Sequence, residues 1–254
     1  ENSIGYYLIP DIEQLPSVHR WARRFSSLPL LERFCPNRDL LIMISLKRAL
    51  DIVVSITGLF ILAPVYILIA FLIWAHDRGP VFYISKRVGI HGKIINFVKF
   101  RSMVINAEAL KEALRKHNER PDGPLFKLTD DPRVTRIGRF LRKTSLDELP
   151  ELFNVLKGDM SIVGPRPERP FFAEQFNEEI DGFKYRVYVK AGITGLAQIL
   201  GNYSTDPKTK SKYDLLYIKN YSLLLDIKII FNTIKIIFLK SSSKGVVNEK
   251  ELDE

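Results

Sequence analysis

The stretch "IVVSITGLFILAPVYILIAFLIWA", residues 52–75, decides the fold, because it is a long apolar run without a single charged side chain. A helix rises about 1.5 Å per residue, so a helix of this length is long enough to cross the roughly 30 Å hydrocarbon core of a bilayer. Pro64 lies near the middle of the run. A proline inside a helix removes one hydrogen bond and clashes with the preceding turn. The run therefore predicts a membrane helix that is broken at Pro64.

The charges on either side of this run favour a helix that enters and leaves the membrane on one face. Lys47 and Arg48 precede the run, and six more basic residues follow it: Arg78, Lys86, Arg87, Lys93, Lys99 and Arg101. Positive charge marks the cytoplasmic side of a membrane protein. A single crossing of the bilayer is the alternative. A re-entrant helix satisfies both the basic flanks and the central proline.

The overall composition is that of a basic protein with almost no cysteine. The chain has 254 residues, a net charge of +9 and 46% hydrophobic residues, which is enough for one sizeable core or two small ones. The positive charge predicts an anionic partner, either nucleic acid, a phosphate-rich substrate or an acidic membrane surface. Cys35 is the single cysteine, and the four histidines show no metal-ligand spacing. A disulfide-bonded fold and a histidine-based zinc enzyme are thus disfavoured.

Periodicity predicts a hairpin and several helices in the rest of the chain. Residues 79–103 alternate apolar and polar residues around "GIHG", which is typical of a β-hairpin. Residues 105–119 have the apolar spacing of a helix. Residues 213–239 predict one helix that either lies in the membrane interface or packs on the protein's own core. The arginines at steps of three predict a cationic helix face, with solvent as its simplest neighbour: Arg133, Arg136, Arg139 and Arg142.

The segment "TSLDELPELF", residues 144–153, places two carboxylates side by side. Ser145 and Glu148 match a capping box, in which each side chain bonds the other residue's backbone N–H. If Asp147 is the cap instead, Pro150 falls in the first helical turn, where proline is well tolerated. In both cases Asp147 lies at a helix N-terminus, whose positive dipole keeps it ionised. Helix capping alone would account for the acidic pair.

The residues that follow support a chemical role for the same pair. The helix is predicted to end at Gly158, and Met160–Val163 predicts a short buried strand. The next residues, "GPRP" at 164–167, fix the backbone on both sides of Arg166, and a rigidly held guanidinium suits bidentate binding of phosphate. Cations gathered near a carboxylate indicate phosphate chemistry with Mg²⁺ bridging the anions.

Four stretches of the chain together resemble the bacterial sugar transferases, a family of monotopic polyprenyl-phosphate phosphoglycosyl transferases. They are "GPVFYISKRVGIHGKIINFVKFRSM", "DPRVTRIGRFLRK", "SLDELPELFNVLKGDMSIVGPRP" and "KAGITGLAQ". The resemblance covers about residues 46–221. Two positions depart from the family's pattern. Ala63 stands where the family often has serine before the membrane-helix proline, and Ala191 stands where it usually has proline.

The resemblance implies an α+β, mostly helical fold at the inner membrane of a bacterium. A re-entrant membrane helix hairpin and amphipathic interfacial helices would surround a small cytoplasmic catalytic domain. The expected segments are a linker from a missing N-terminal membrane domain (1–45), the re-entrant helix (46–78), the catalytic domain (79–206), an amphipathic interfacial helix (207–240) and a disordered tail (241–254).

The resemblance also implies a two-step transfer of sugar-1-phosphate from a UDP-sugar to polyprenyl phosphate, of the undecaprenyl type, as the first membrane step of a surface polysaccharide pathway. Asp147 would attack the phosphate that bears the sugar and UMP would leave. Glu148 is the second catalytic carboxylate, and Mg²⁺ would bind near Asp147. The positions implied to bind substrate phosphate or nucleotide are Arg142, Arg166, Arg87, Lys99 and Arg101. The positions implied to shape the site are Gly164, Pro165 and Pro167.

Other functional classes fit the sequence less well. A membrane-tethered basic nucleic-acid-binding module would need no acidic pair, and the chain has no recognisable nucleic-acid-binding motif. A glycoside hydrolase needs two carboxylates about 5–9 Å apart across a sugar, which adjacent residues hardly provide. We therefore expect an enzyme with a UDP-sugar, a polyprenyl phosphate and the cytoplasmic leaflet as partners, and no nucleic acid. The sugar and the oligomeric state, a homodimer included, stay open.

Overall fold

The computed structural model describes residues 38–114, 128, 131–201 and 205–238. These residues are mostly helical and contain two small sheets, so the predicted α+β class is confirmed at this level. The predicted tail, most of the predicted linker and the C-terminal part of the helix predicted at 105–119 lie outside the described residues.

The described residues form these helices in chain order: α1 (Arg38–Asp77), α2 (Ala107–Leu114), α3 (Arg136–Lys143), α4 (Glu151–Lys157), α5 (Pro170–Glu179), α6 (Leu196–Leu200), α7 (Pro207–Lys219) and α8 (Leu223–Phe238). The strands are β1 (Phe82–Val88), β2 (Ile94–Phe100), β3 (Ser161–Val163) and β4 (Gly192–Thr194). Short 3₁₀ helices lie at Ile90–Gly92, Leu146–Glu148 and Phe183–Tyr188.

Helix α1 is longer and more regular than the sequence predicted. It begins at Arg38, within the segment assigned to the linker, and runs through Pro64 to Asp77 as one helix. The helical backbone is therefore not interrupted at Pro64, where the sequence predicted a break. Proline has no N–H, so one hydrogen bond is still lost at this point. In apolar surroundings the neighbouring residues keep their own hydrogen bonds best by remaining helical.

One face of α1 packs against the rest of the protein and the other faces outward. The inward face carries buried residues along both halves of the helix: Lys47, Asp51, Ser55, Ile69 and Ile73. The outward face is apolar and most open near the middle, where Phe60 is 82% and Ile67 71% exposed. Among the described residues α1 is the one helix that is long and apolar enough to cross a membrane. Its wide apolar exposure distinguishes it from the core helix of a soluble protein.

Buried polar contacts attach the N-terminal half of α1 to β3 and to α8. The Lys47 ammonium lies 2.5 Å from the Asp226 carboxylate and donates to the Val163 carbonyl at 3.0 Å. The Asp51 carboxylate accepts from the Ser161 hydroxyl at 2.9 Å and from the next backbone N–H at 2.8 Å. Because these groups are removed from water, losing one partner leaves a buried charge without compensation.

The main core lies between the hairpin, the parallel pair β3–β4 and the last two helices. Strands β1 and β2 pair antiparallel from Phe82↔Phe100 to Val88↔Ile94, which confirms the predicted hairpin around "GIHG". Strand β3 lies parallel to β4, with Ser161 opposite Gly192. The largest cluster of buried apolar side chains draws on all of these elements: Ile95, Phe97, Val155, Met160, Ile162, Val163, Ala191, Leu196, Leu215, Tyr217, Ile218, Leu225 and Ile229.

The single helix predicted at 213–239 is wrong, because α7 ends at Lys219 and α8 begins at Leu223. Asn220 ends α7, and its side-chain amide donates back to the Leu216 carbonyl at 2.8 Å. The Ser222 hydroxyl accepts from a backbone N–H at the start of α8 at 3.3 Å, as a helix cap does. Both helices contribute side chains to the main core. The outer face of α8 nevertheless exposes Leu224 and Phe231.

We predict that Lys47→Met lowers the free energy of unfolding by about 3 kcal/mol, because Asp226 is left buried without its cation. Chemical unfolding in detergent measures this change. Adding Asp226→Leu should restore part of the loss, since no unpaired charge then remains. The control is Lys157→Met, which removes a 2.8 Å pair with Asp159 from an exposed lysine and should cost less than about 1 kcal/mol. Equal losses in Lys47→Met and the control would contradict the role of the buried pair.

Candidate active site

The acidic pair lies in a short 3₁₀ helix and not at the start of α4. Asp147 and Glu148 belong to Leu146–Glu148, whereas α4 begins at Glu151 and Pro150 takes its N-cap position. Ser145 has a left-handed backbone (φ 57°) and its side chain makes no capping bond. Both capping interpretations of the sequence are therefore wrong. Proline lacks an N–H, so it suits a helix start where no donor is needed, and the carboxylates are left for other partners.

Asn154 holds α4 against the hairpin. Its side-chain carbonyl accepts from the Val98 N–H at 3.1 Å, and its amide donates to the Asn96 carbonyl at 2.5 Å. These bonds continue the free edge of β2 with a side chain in place of another strand. Lys99, the next residue along β2, is thereby brought beside the turn that carries Glu148.

Glu148 is paired with two cations from distant parts of the chain. Lys99 Nζ lies 2.6 Å from one carboxylate oxygen, and the Arg166 guanidinium contacts both oxygens. Burial alone would raise the pKa of Glu148, but Arg166 and Lys99 outweigh burial and lower the pKa to about 2. Glu148 is therefore ionised at neutral pH, with its charge already balanced.

Asp147 has the opposite environment. Among the described residues no hydrogen bond or ion pair engages its carboxylate, although the side chain is half-buried. Burial raises the pKa of Asp147 and Glu148 raises it further, while Lys99 and Arg142 act to lower it. A carboxylate without a partner beside fixed cations is available to attack a phosphorus atom or to bind a metal ion.

Glu151 is a third carboxylate of the site, which the sequence analysis missed. It is fully buried, lies 3.4 Å from Lys99 Nζ, and has no hydrogen-bond partner among the described residues. Burial and the charge of Glu148 raise the pKa of Glu151 to about 7, against the pull of Arg166 and Lys99. From the sequence it resembles an ordinary acidic residue in a first helical turn. Its place three residues after Glu148, on the same helical side, was the available signal.

The "GPRP" loop, residues 164–167, packs against β4 and the residues just before it. A Cβ atom at Gly164 would lie 2.2 Å from the Lys190 carbonyl oxygen, so no side chain fits there. The next residue, Pro165, accepts a hydrogen bond from the Gly192 N–H at 2.9 Å. Backbone contact with β4 therefore fixes the start of the loop.

The rest of the loop is fixed through its carbonyl groups. The Arg166 carbonyl accepts from Arg186 at 2.8 Å, and Arg186 is itself held by the buried Asp214 at 2.7 Å. The Pro167 carbonyl accepts from Arg87 at 3.2 Å. With its backbone anchored on both sides, Arg166 directs its guanidinium to Glu148.

The remaining predicted basic residues lie in different places. Arg142 is exposed, close enough to Asp147 to lower its pKa, and donates to the Ser102 hydroxyl at 2.8 Å. Arg101 pairs with Asp77 at the end of α1 and thus anchors that helix. One of the four arginines predicted to form a cationic helix face does not belong to it. Arg133 precedes α3 and is buried against Asp131, while the other three arginines are exposed on the helix.

The site fits a magnesium ion only with help from substrate. Among the described residues no cluster of three potential metal ligands exists. Mg²⁺ is usually held by one or two carboxylates together with substrate phosphates and waters. The unengaged oxygens of Asp147 meet that requirement.

The sequence of the chain is similar to those of known proteins. The profile of the bacterial sugar transferases matches residues 42–240. The chain belongs to this family. It is 45% identical over 205 residues to the undecaprenyl-phosphate galactose phosphotransferase of Salmonella typhimurium, a match that covers 78% of this chain and 41% of that protein. It is 47% identical over 199 residues to the galactosyl transferase CpsE of Streptococcus agalactiae, covering 78% and 43%.

A third relative matches over nearly the whole chain. It is the UDP-glucose:undecaprenyl-phosphate glucose-1-phosphate transferase of Escherichia coli, 38% identical over an alignment of 256 positions that covers 98% of this chain and 50% of that protein. The chain thus spans half or less of the length of these three relatives.

We predict that Glu151→Gln removes a pH dependence of stability. The pKa of Glu151 is raised from 4.5 to about 7, so the folded protein keeps a proton that the unfolded chain releases. The stability from this proton is present at low pH and is lost as the pH rises to about 7. The melting temperature of the wild type, relative to Glu151→Gln, should therefore fall between about pH 5 and about pH 8.

The control is Asp206→Asn, measured like the first variant without divalent cations. Burial would raise the pKa of Asp206, but hydrogen bonds from Thr209 lower it below its ordinary value of 3.8, so its contribution to stability is lost only in more acidic solution. The difference between wild type and Asp206→Asn should therefore stay constant between about pH 5 and about pH 8. A constant difference for Glu151→Gln as well would refute the raised pKa.

Proposed function

We propose that this chain transfers a sugar-1-phosphate from a UDP-sugar to polyprenyl phosphate, of the undecaprenyl type, and releases UMP. The observation that carries the proposal is the contrast between the two adjacent carboxylates. The Glu148 carboxylate forms ion pairs with Lys99 and Arg166, whereas the Asp147 carboxylate has no partner among the described residues. The names of the relatives, which include galactose and glucose-1-phosphate transferases acting on undecaprenyl phosphate, support this class of reaction.

The transfer takes place in two steps. In the first, a carboxylate oxygen of Asp147 bonds to the phosphorus that bears the sugar, and the bond from that phosphorus to the bridging oxygen breaks. UMP leaves with the electron pair, and a sugar-phosphoryl aspartate remains. In the second, a phosphate oxygen of the polyprenyl phosphate bonds to the same phosphorus and the Asp147 carboxylate is released.

Lys99 and Arg166 stabilise the charge of the diphosphate, because Glu148 and the loop contacts hold them in place before the substrate binds. In this scheme Glu148 acts mainly by orienting these two cations. Mg²⁺, held by Asp147 and the substrate phosphates, would reduce the repulsion between carboxylate and diphosphate.

We further propose that α1 is a re-entrant membrane helix, which bends at Pro64 while its backbone stays helical, and that the rest of the chain lies on the cytoplasmic face of the inner membrane. Two polar attachments support this. Lys47 pairs with Asp226 near one end of α1, and Asp77 pairs with Arg101 at the other. A straight helix over these thirty or so residues would measure about 45 Å, more than the bilayer core. A single crossing would separate the two attachments, which belong to one folded body.

A basic nucleic-acid-binding module is the second candidate, and the geometry disfavours it. Arg136, Arg139 and Arg142 are exposed on α3 and could contact the phosphates of a nucleic acid. Such a binder has no use, however, for the acidic pair Asp147 and Glu148 or for the buried Glu151 beside Lys99. The positive charge is better explained by a phosphorylated substrate and an acidic membrane.

We predict that Asp147→Asn abolishes turnover and leaves the fold intact. Asp147 does not cap a helix, so the amide replaces no structural bond. A neutral amide cannot form the acyl phosphate, and the loss should exceed about a thousandfold. The measurement is UMP release from a panel of UDP-sugars in detergent with undecaprenyl phosphate and Mg²⁺.

Wild-type protein should accumulate the covalent intermediate when the polyprenyl phosphate acceptor is withheld. Label from a UDP-sugar with a radioactive sugar should accumulate on wild type, and added polyprenyl phosphate should discharge it. Asp181→Asn, an exposed aspartate away from the site, is the control and should behave as wild type. Near-normal turnover of Asp147→Asn would eliminate the covalent mechanism.

We predict that both ends of α1 are accessible from the cytoplasm alone. Cys35, the single cysteine, is first replaced by serine, and Ser45→Cys and Ser85→Cys are then made one at a time. An impermeant thiol reagent should modify both positions in inverted membrane vesicles and neither in right-side-out vesicles. Phe60→Cys, at the most open point of the apolar face, should react in neither because lipid covers it. Labelling of either end from the periplasmic side would exclude the re-entrant arrangement.

A further inference from the structure

The ring of Phe97 lies beneath three cations of the candidate active site. Phe97 is in β2 and only 1% exposed. The guanidinium carbon of Arg87 lies 5.2 Å from the ring centroid, Lys99 Nζ 5.3 Å, and the guanidinium carbon of Arg166 6.0 Å. A cation within about 6 Å of an aromatic ring is attracted by its negative face. One side chain therefore attracts cations from β1, from β2 and from the "GPRP" loop.

Collecting three positive charges in one place is unfavourable unless something offsets their repulsion. Glu148 offsets Lys99 and Arg166 by forming ion pairs with both. Arg87 has no such carboxylate within ion-pair distance among the described residues, and its buried Nε has no hydrogen-bond partner there. Burial lowers the pKa of Arg87, and Arg169 and Arg166 lower it further, while the charge of Glu168 acts to raise it. Phe97 and the Pro167 carbonyl are the groups seen to hold this guanidinium.

An aromatic ring differs from a carboxylate in one respect that matters here. It attracts a cation through its quadrupole but carries no net charge, so the cation keeps its full charge for an incoming anion. Carboxylates alone would hold the three cations equally well and would neutralise them.

We propose that Phe97 is a positioning residue, whose ring gathers Arg87, Lys99 and Arg166 into a pre-formed binding cluster for the diphosphate of the donor. The inference rests on the proposed function and adds to it a residue that acts through the cations without touching the substrate. Arg87, which among the described residues forms no ion pair within 4 Å, is the member best placed to take a phosphate oxygen.

The test uses fluorine, which withdraws electron density from the face of the ring and nearly preserves the ring's shape. Phe97 is replaced in the whole chain by mono-, di- and trifluorophenylalanine, and each protein is assayed for UMP release and titrated calorimetrically with UDP. The value of kcat/KM should fall stepwise with each fluorine, by roughly tenfold at the third, which corresponds to about 1.4 kcal/mol. The change should appear mainly in KM, and the affinity for UDP should fall in parallel.

Phe100 provides a matched control on the same strand. It is 2% exposed and packs against Tyr66 and Phe82 with ring centroids 5.3 and 5.5 Å away, and among the described residues no cation lies over it. The same fluorination at Phe100 should leave kcat/KM and UDP affinity within about twofold, because no cation–π contact is weakened there.

The outcomes separate this inference from the proposed function. If kcat/KM and UDP affinity did not change with fluorination of Phe97, or fell equally for Phe97 and Phe100, the positioning role would be overturned. The proposed transferase function would not be affected. A wild type that binds UDP but releases no UMP from any UDP-sugar would overturn the proposed function. The stepwise loss of UDP affinity needs no turnover, so it still decides whether the ring organises the cluster.

Discussion

The contact of Glu148 with Lys99 and Arg166 is the interaction on which the candidate active site depends. It joins the hairpin, the turn before α4 and the loop after β3. Backbone contacts prepare each partner, since Asn154 secures the edge of β2 and Arg186 secures the Arg166 carbonyl. Because these side chains are largely removed from water, their ion pairs are screened less than an exposed surface pair. The result is a pair of oriented cations beside the Asp147 carboxylate, which has no partner in the part of the chain that the structure describes.

Helix α4 connects this site to the membrane helix. Arg48 of α1 donates to the last carbonyls of α4, those of Val155 and Leu156, at 2.6 and 2.7 Å. At the other end of α4, the Tyr66 hydroxyl of α1 donates to the Leu149 carbonyl. The site is therefore held directly against the apolar helix. In the proposed function this closeness lets a phosphate carried on a lipid reach Asp147 without leaving the membrane surface.

Part of this arrangement was predictable from local signals. Alternation around "GIHG" predicted the hairpin, and Gly158, with φ of 93°, ends α4 as the sequence indicated. The other predictions failed on backbone conformation and helix capping, which periodicity and composition do not specify. Ser145 matches a capping box, but its backbone is left-handed, its side chain makes no capping bond, and Pro150 is the N-cap of α4. Residues 213–239 have unbroken helical composition, yet the side chains of Asn220 and Ser222 separate two helices.

The sequence by itself determined the classes of element, the apolar helix, the acidic pair and the basic residues, because periodicity, charge and turn chemistry act over a few neighbouring residues. Only the tertiary structure decided which charges cancel. It paired Glu148 with Lys99 and Arg166, buried Glu151 beside them and paired Arg101 with Asp77, and among the residues it describes none bonds to the Asp147 carboxylate. These assignments depend on distances between residues far apart in the chain, and on burial, which strengthens an interaction between charges by removing water from around them.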